Sequence, residues 1–290
     1  MKNEVVIAEA RKAFHQSLIE KGVLSVDKDG VPSNADGSNK PSCAIGALVA
    51  KAIGAKKGKK LPAQSAGSVF EELVCAFLKD TFPKLQHLRP GKWDVFNLGN
   101  RNEVKASSFA QYEHLAHLAK VLSSDKELST MLGNDYMVAP DIVVSRDPCE
   151  DSEINFKKQY VDDTVGLRTD IRKKNGGLPL MHASISAKWT MRSDRAQNSR
   201  TEALNLIRNR KGHLPHIVVV TGEPLPSRLA SLALGTGDLD CVYHFALYEL
   251  LDAVRKYGSD GREDIIEQLD ALVKGKRLKD ISDLPLDLSC

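Results

Sequence analysis

Several recognisable features are missing from this sequence, and each absence narrows the class of protein. It has five cysteines but no CxxC pair, and no run of about 18 apolar residues that could span a membrane. The first 16 residues are charged throughout and lack an apolar core, so no secretory signal is expected. There is no internal repeat, no low-complexity tract and no glycine-rich phosphate loop. We therefore expect a cytoplasmic protein with reduced, mostly buried thiols and no membrane contact.

The composition that remains is that of an ordinary globular protein. Of 290 residues, 42% are hydrophobic and 27% are charged, so the chain is long enough to bury a full core. Length alone allows one large domain or two small ones. The net charge is only +3, so affinity for a polyanion would have to come from local basic patches.

Apolar and polar residues alternate over residues 182–189, which predicts a half-buried β-strand with Ser186 and Lys188 on its polar face. The residues that follow include two arginines and an acid: Arg192, Asp194 and Arg195. Arginine donors suit O6 and N7 of guanine, and a carboxylate suits the amino group of cytosine. A solvated helix start with a local ion pair is the simpler interpretation of these three residues. Because a lysine at the end of a strand is followed at once by residue types that recognise bases, the sequence nevertheless suggests a nuclease whose catalytic and base-recognition residues are neighbours.

Hydrophobic periodicity and turn residues give a coarse map of the chain. Helices are predicted at residues 3–21, from 65 onwards, at 108–122, after 193, near 227, at 241–256 and at 263–274. Strands are predicted within 85–106 and at 136–145, 180–190 and 216–221. Residues 28–42 and most of 147–176 are predicted to be loops.

Phosphodiester hydrolysis needs an activated water and neutralisation of the phosphate, which a divalent metal ion can supply. Asp141 and Lys188 supply the outer parts of the nuclease pattern PD…(D/E)xK, in which the two residues lie on adjacent strands. Such a lysine can steer or deprotonate the water, or stabilise developing charge. Ser186 replaces the acid expected two residues before the lysine. A metal-binding carboxylate must therefore come from elsewhere, and Glu202 is the nearest candidate in sequence.

Two other acids occupy less specific positions. Glu71 lies at the border of the apolar stripe of the helix that starts near residue 65, whereas Glu72 points to the wet side. Asp36 lies in the loop of residues 28–42, where an Asx turn at the surface is the simpler interpretation.

Longer matches make one resemblance specific. From about residue 30 to the C-terminus, the chain resembles the NgoMIV-like restriction endonucleases and, more loosely, the type IIF family that cuts CCGG-containing sites. The matching stretches are SNADGSN (33–39), LQHLRPG (85–91), PDIVVSR (140–146), HASISAKWTMRSDRAQNSR (182–200), RNRKGHLPHIVVVT (208–221), CVYHFALYEL (241–250) and KGKRLKDISDLPLDL (274–288).

The resemblance implies an α/β fold of the restriction-endonuclease type, in which helices flank a central mixed β-sheet and the whole of residues 1–290 forms one nuclease domain. It also implies a Mg²⁺ site held by Asp141 and Glu202. Ser186 and Lys188 would complete the catalytic site, and Glu71 would border it.

The resemblance further implies a recognition site. Three residues would read the central CCGG in the major groove, the arginines through guanine and the acid through cytosine: Arg192, Arg195 and Asp194. Three others would read the outer G·C pair, the last of them from the minor-groove side: Asp36, Arg228 and Gln64. The implied site is GCCGGC, and cleavage between the first G and C would leave four-base 5′ overhangs.

The family's assembly and partners are implied as well. Its proteins are tetramers of two back-to-back dimers, so a homotetramer that binds two copies of double-stranded DNA is expected. A cognate DNA methyltransferase would belong to the same system without direct contact. The alternative is a sequence-specific DNA-binding protein without catalysis, such as an inactive nuclease or a repressor. It would require Asp141, Lys188 or Glu202 to be misplaced.

Overall fold

A six-stranded mixed β-sheet forms the centre of the molecule. The computed structural model describes residues 5–58, 60–98, 106–124, 127, 130, 140–191, 193–234, 237–259 and 261–290, with the backbone alone for residues 193–196. The strands lie side by side in chain order: β1 (Trp93–Asn97), β2 (Ile142–Arg146), β3 (Leu180–Lys188), β4 (His216–Thr221), β5 (Cys241–His244) and β6 (Leu278–Asp280). Neighbouring strands from β1 to β3 pair antiparallel, and those from β3 to β6 pair parallel.

Helices flank this sheet, so the predicted α/β class with a central mixed sheet is confirmed. The α-helices whose bounds lie in the described residues are α1 (Val6–Glu20), α2 (Lys40–Ile53), α3 (Ala63–Thr81), α4 (His114–Ser124), α5 (Asp151–Ile154), α6 (Ser193–Asn209), α7 (Pro226–Ala233), α8 (Leu247–Gly258), α9 (Glu263–Lys274) and α10 (Leu284–Asp287). Short 3₁₀ turns are found at Phe82–Leu85, Ala106–Ser108, Ala110–Tyr112, Lys173–Asn175 and Ile281–Asp283. One cluster of buried apolar side chains runs through the sheet and the helices packed on it.

An aromatic cluster fixes α3 against the end of β3. The ring of Trp189 lies 5.0 Å from that of Phe70 on α3 and 5.2 Å from that of Phe245, between ring centroids. Gly222 makes this packing possible, because a Cβ atom at that position would lie 2.6 Å from the Trp189 ring. The end of β3, where Lys188 lies, is therefore held firmly by the core.

Strand β3 differs from its prediction because both of its faces are covered. Residues 181–187 are all buried, and the hydroxyl-bearing Ser184 and Ser186 are only 5% and 9% exposed. Helix α6 covers the serine face, where Ser199 Oγ lies 3.4 Å from Ser186 Oγ, and α3 packs on the same strand. The prediction of a half-buried strand is wrong, since a central strand between two helical layers is buried throughout.

Other differences lie in short elements. The helix predicted at residues 241–256 is a strand, β5, followed by α8, because the four residues of β5 are too few for periodicity to tell a strand from the start of a helix. Helix α2 begins inside the predicted loop of residues 28–42. Asn39 is its N-cap residue, and the Asn39 side chain accepts a hydrogen bond from the backbone N–H of Ser42. The helix predicted at 108–122 begins at His114, after two 3₁₀ turns.

The predictions about membranes and thiols have different outcomes. Across the described ranges, no helix is both long and apolar enough to span a bilayer. All five cysteines are present as thiols. Only Cys75 and Cys241 are buried, so the prediction that most of them are buried is wrong.

Candidate active site

Asp141 is the centre of a hydrogen-bonded group at one end of the sheet. Its Oδ2 accepts hydrogen bonds from Lys188 Nζ at 2.8 Å, from the Ala187 backbone N–H at 2.9 Å and from Ser186 Oγ at 3.2 Å. Strand pairing explains this arrangement, because Ile142 of β2 lies opposite the residue before Ser186. The side chains of Asp141 and Lys188 are only 17% and 19% exposed. The PD and SxK segments therefore meet at one point.

The charge of Lys188 is set by its neighbours. Burial alone would lower the pKa of its ammonium group, but Asp141, Glu202 and Glu71 raise that pKa overall. Lys188 thus stays protonated at neutral pH, which fits stabilisation of negative charge better than removal of a proton from water. The backbone is fixed here too, since the Thr221 hydroxyl donates to the Lys188 carbonyl at 2.8 Å.

Two acids on the flanking helices face this ion pair: Glu71 of α3 and Glu202 of α6. Burial, followed by the negative charge of Asp141, raises the pKa of Glu71 to about 7. Lys188 and a hydrogen bond with Asn97 oppose that rise. Burial also raises the pKa of Glu202, with Lys188 opposing and Asp141 adding to the effect. The ionised forms of both acids are therefore disfavoured, because burial and neighbouring negative charge outweigh the positive charge of Lys188. An additional cation bound in the site would favour ionisation.

The acids and the lysine border a cleft of about 300 Å³ between α3, the end of β3 and α6. Its polar lining consists of Gln64, Ser68, Glu71, Lys188, Asn198 and Glu202. Asp141 contacts the cleft through Lys188. The structure thus brings all five predicted catalytic residues, and Gln64, to one place.

The donor chemistry of this cleft fits a Mg²⁺ ion. Within the described residues, no group of three or more acids, histidines or cysteines is already spaced to hold a metal. Mg²⁺ does not require such a group, since it keeps several waters and binds one or two carboxylates. Asp141 and Glu202 offer two such carboxylates, with Glu71 close by.

A second cleft holds the acid and the arginine predicted to read the outer base pair. It measures about 140 Å³ and shares Ala63 and Trp189 with the first. Here Arg228, at the start of α7, forms an ion pair with Asp36. Hydrogen bonds from Arg228 and then Ser38 hold the pKa of Asp36 well below its usual range. The loop acid is therefore a charged partner of an arginine as well as the acceptor of a local turn.

The central reading residues are only partly covered by the structure. Arg192 lies outside the described residues, as do the side chains of Asp194 and Arg195. The backbone of the latter two belongs to the first turn of α6, which starts five residues after Lys188. Asp194 and Arg195 thus belong to the helix that also carries Asn198 and Glu202 of the catalytic cleft.

Sequence reasoning missed four residues that support these sites: Asn97, Ser199, Thr221 and Glu223. The first three contact Glu71, Ser186 and Lys188 respectively. Glu223 contacts Arg228 and is completely buried. Glu223 lies two residues after the end of β4, and an acid so close to a buried strand is a signal in the sequence that could have found it.

Sequence comparison identifies the family. Residues 14–290 match the family described as NgoMIV restriction enzyme. The chain belongs to the NgoMIV restriction enzyme family. The type II restriction enzyme NgoMIV of Neisseria gonorrhoeae is 49% identical over 285 residues, which cover 98% of this chain and 99% of that relative. The resemblance inferred from the motifs is confirmed.

Membership of the NgoMIV family makes the chain a type II restriction endonuclease, a hydrolase that cleaves DNA at specific sites. Enzymes of this class generally need a divalent metal ion. The alternative of a DNA-binding protein without catalysis is disfavoured, because Asp141, Lys188 and Glu202 lie together at one cleft.

Proposed function

We propose that this enzyme uses Mg²⁺ to cut both strands of double-stranded DNA at GCCGGC, leaves four-base 5′ overhangs and serves a restriction–modification system. One observation carries the proposal. Two clefts share Trp189; the first is lined by predicted catalytic residues, and the second by residues predicted to recognise the outer base pair. A site-specific nuclease needs its phosphate-cutting groups next to groups that contact base edges.

The second cleft supports reading of the outer base pair. The major-groove edge of a G·C pair offers two acceptors on guanine and an amino donor on cytosine. Arg228 and Asp36 are presented as a bonded unit, so a donor fork and a carboxylate reach one base pair together. Gln64 lines the other cleft, which favours an approach to the same pair from the minor groove. Arg192, Asp194 and Arg195 would read the central CCGG.

The first cleft supports hydrolysis of the phosphodiester. Asp141 and Glu202 would hold Mg²⁺, with Glu71 at the border. When bound, the ion would provide an activated water and neutralise negative charge on the phosphate. Lys188, held by Asp141, would stabilise the charge that develops on the phosphate oxygens. Ser186 orients the Asp141 carboxylate with one hydrogen bond, in the position where related nucleases carry an acid.

A homotetramer is supported by the connection between β2 and β3. Asp141 precedes β2 and Lys188 ends β3, so residues 147–179 leave the sheet at the end opposite the cleft. This connection exposes four large apolar side chains: Phe156 (81%), Tyr160 (63%), Val165 (50%) and Leu167 (46%). Exposed apolar side chains grouped in one segment favour contact with another protein surface. Contacts made there would leave the clefts of two back-to-back dimers open to DNA.

The proposal also covers the domain organisation and the cellular setting of the enzyme. We propose that residues 1–290 act as one domain, since a single apolar core joins the described elements. We place the enzyme in the cytoplasm, where its DNA substrate lies. A cognate methyltransferase would modify the same sites without contacting the enzyme.

Plasmid digestion tests the proposed site. Two plasmids would differ only in the outer base pairs of one hexamer, GCCGGC in the first and ACCGGT in the second, and each would be incubated with Mg²⁺ or with EDTA. We expect cleavage of the first plasmid only, with Mg²⁺ only, and sequenced ends that begin after the first G. A gel shift without cuts would refute nuclease activity. Equal cutting of both plasmids would refute reading of the outer pair.

A further inference from the structure

Glu223 is a buried acid with no part in the chemistry described so far. It follows β4 in the turn that leads to α7, and its side chain is completely buried. Burial raises the pKa of this carboxyl group to about 7, even though hydrogen bonds and Arg228 favour its ionised form. A buried acid is costly unless its oxygens are used, so the contacts of Glu223 show what it holds.

One of its carboxylate oxygens binds a distant segment of the chain, and the other binds the turn that Glu223 itself belongs to. Oε2 accepts the backbone N–H of Met191 at 3.0 Å, and Oε1 accepts the backbone N–H of Leu225 at 3.2 Å. Met191 directly precedes Arg192, the first residue of the central reading segment. Leu225 is the N-cap residue of α7, the helix that carries Arg228. One side chain therefore binds the residue before the central reading segment (Arg192–Arg195) and the residue at the start of the outer reading segment (α7 with Arg228).

The same carboxylate also faces the outer-pair arginine. Glu223 Oε2 lies 3.6 Å from a terminal nitrogen of Arg228, whose other terminal nitrogen binds Asp36. If Asp36 engages a cytosine, Glu223 remains a negative neighbour of Arg228. The arginine then keeps its orientation while it donates to guanine.

We propose that Glu223 is a positioning residue that fixes the central and outer reading segments relative to each other, so that discrimination at both sets of base pairs depends on one carboxylate. This inference rests on the proposed reading of GCCGGC. Its physical basis is that binding groups tolerate only about 0.5 Å of misplacement, so releasing a shared anchor should disturb both sets of contacts.

Glu223→Gln tests the inference because it keeps the size of the side chain but removes its charge. One oxygen becomes an NH₂ group, which cannot accept from the Met191 or the Leu225 amide. Equilibrium competition binding, with Ca²⁺ in place of Mg²⁺ to slow cutting, would compare three duplexes: GCCGGC, ACCGGT with a changed outer pair, and GCATGC with a changed centre. We expect the preference for GCCGGC to fall about tenfold against both altered duplexes.

Matched variants separate positioning from general loosening. Asp280→Asn removes the charge of another completely buried acid, one that binds Arg11 and the Leu247 amide, and it should leave both preferences unchanged. Arg228→Ala should lower only the outer-pair preference. If the glutamine variant does not fold, Glu223→Asp carries the same test, since it keeps the charge but shortens the reach.

The results that would contradict the inference can be told apart. A loss confined to the outer pair would make Glu223 a partner of Arg228 alone and overturn the coupling. Unchanged preferences in the Glu223 variants, or an equal loss in Asp280→Asn, would overturn it too. A wild-type enzyme without preference among the three duplexes would refute the proposed recognition site itself.

Discussion

Neutralising Glu71 should make the metal-free protein more stable while it removes activity. The carboxylate of Glu71 faces Asp141 and Glu202 in a half-buried setting, with Lys188 as the opposing positive charge. Glu71→Gln keeps the shape and an acceptor oxygen for the hydrogen bond with Asn97. It removes the negative charge that burial and the neighbouring acids disfavour. We therefore expect a gain in the free energy of unfolding when no metal is bound.

The magnitude follows from the raised pKa. A rise from 4.5 to about 7 means that ionising Glu71 in the folded protein costs up to about 3 kcal/mol at pH 8. Water that reaches the cleft screens part of this cost, so the expected gain for Glu71→Gln is about 1–3 kcal/mol. Between pH 4.5 and 7 the folded protein binds more protons than the unfolded chain. The contribution of Glu71 to stability therefore falls as the pH rises through that window, and at pH 5 the variant's gain should shrink below about 1 kcal/mol.

Urea unfolding in EDTA at pH 5 and pH 8 measures this effect at one protein concentration. Glu72→Gln is the matched control, because Glu72 is the next residue on α3 and is exposed to solvent. It should change stability at neither pH. Adding Mg²⁺ should stabilise the wild type more than Glu71→Gln, and the variant should cut DNA at least about 100-fold more slowly. A variant no more stable than the wild type at pH 8, or equally favoured at both pH values, would refute the electrostatic reasoning.

Four further outcomes follow from the sites. Asp141→Ala should abolish plasmid cleavage but keep specific binding in gel shifts, because phosphate and base contacts supply the affinity; cutting at a normal rate would remove Asp141 from the active site. Glu202→Ala should be nearly inactive, and adding Ser186→Glu should restore part of its Mg²⁺-dependent rate; no gain would mean that the two carboxylate positions are not equivalent. Arg195→Ala should lose about 1–3 kcal/mol of discrimination in competition binding, whereas Lys57→Ala, in the lysine-rich segment KKGKK at residues 56–60, should weaken binding to all sequences alike because lysine there would contact only phosphates. A plasmid with two GCCGGC sites should be cut faster than one with a single site; identical rates and a dimer mass would argue against the tetramer.

The meeting of the PD and SxK segments could be predicted because it depends on strand pairing. Two adjacent strands place Asp141 beside Ser186 and Lys188 whatever the length of chain between them. Residue types alone also predicted that a second acid must come from another element. Glu202 faces the ion pair from α6, as that reasoning required.

The burial of Ser186 could not be predicted from alternation. Serine and alanine alternate in β3 as they would in a strand with one wet face, and only the packing of α6 decides that the serine face is dry. Similarly, β5 reads as the start of a helix because the apolar run continues into α8. In both places tertiary contacts override a local pattern that fits two structures.

The side-chain contacts between distant segments could not be predicted from the sequence either. Asp36 and Arg228 are 192 positions apart, and Glu223 joins segments that begin 34 positions apart, at Met191 and Leu225. No periodicity links such residues. Their association depends on where two loops cross the same end of the sheet, and loop paths are set by the packing beneath them.

Ser186 makes the geometry of the active site depend on helix packing. An acid at that position would be fixed to Lys188 by the strand itself. Here the acids Glu71 and Glu202 belong to helices, so they stay at a fixed distance from Lys188 only while α3 and α6 remain packed on the sheet. One contact that holds α3 against β3 is the packing of Phe70 on Trp189, and these residues directly neighbour Glu71 and Lys188 in sequence. Loosening this aromatic contact should therefore reduce cutting before it unfolds the protein, because the acid and the lysine would separate while the sheet remains intact.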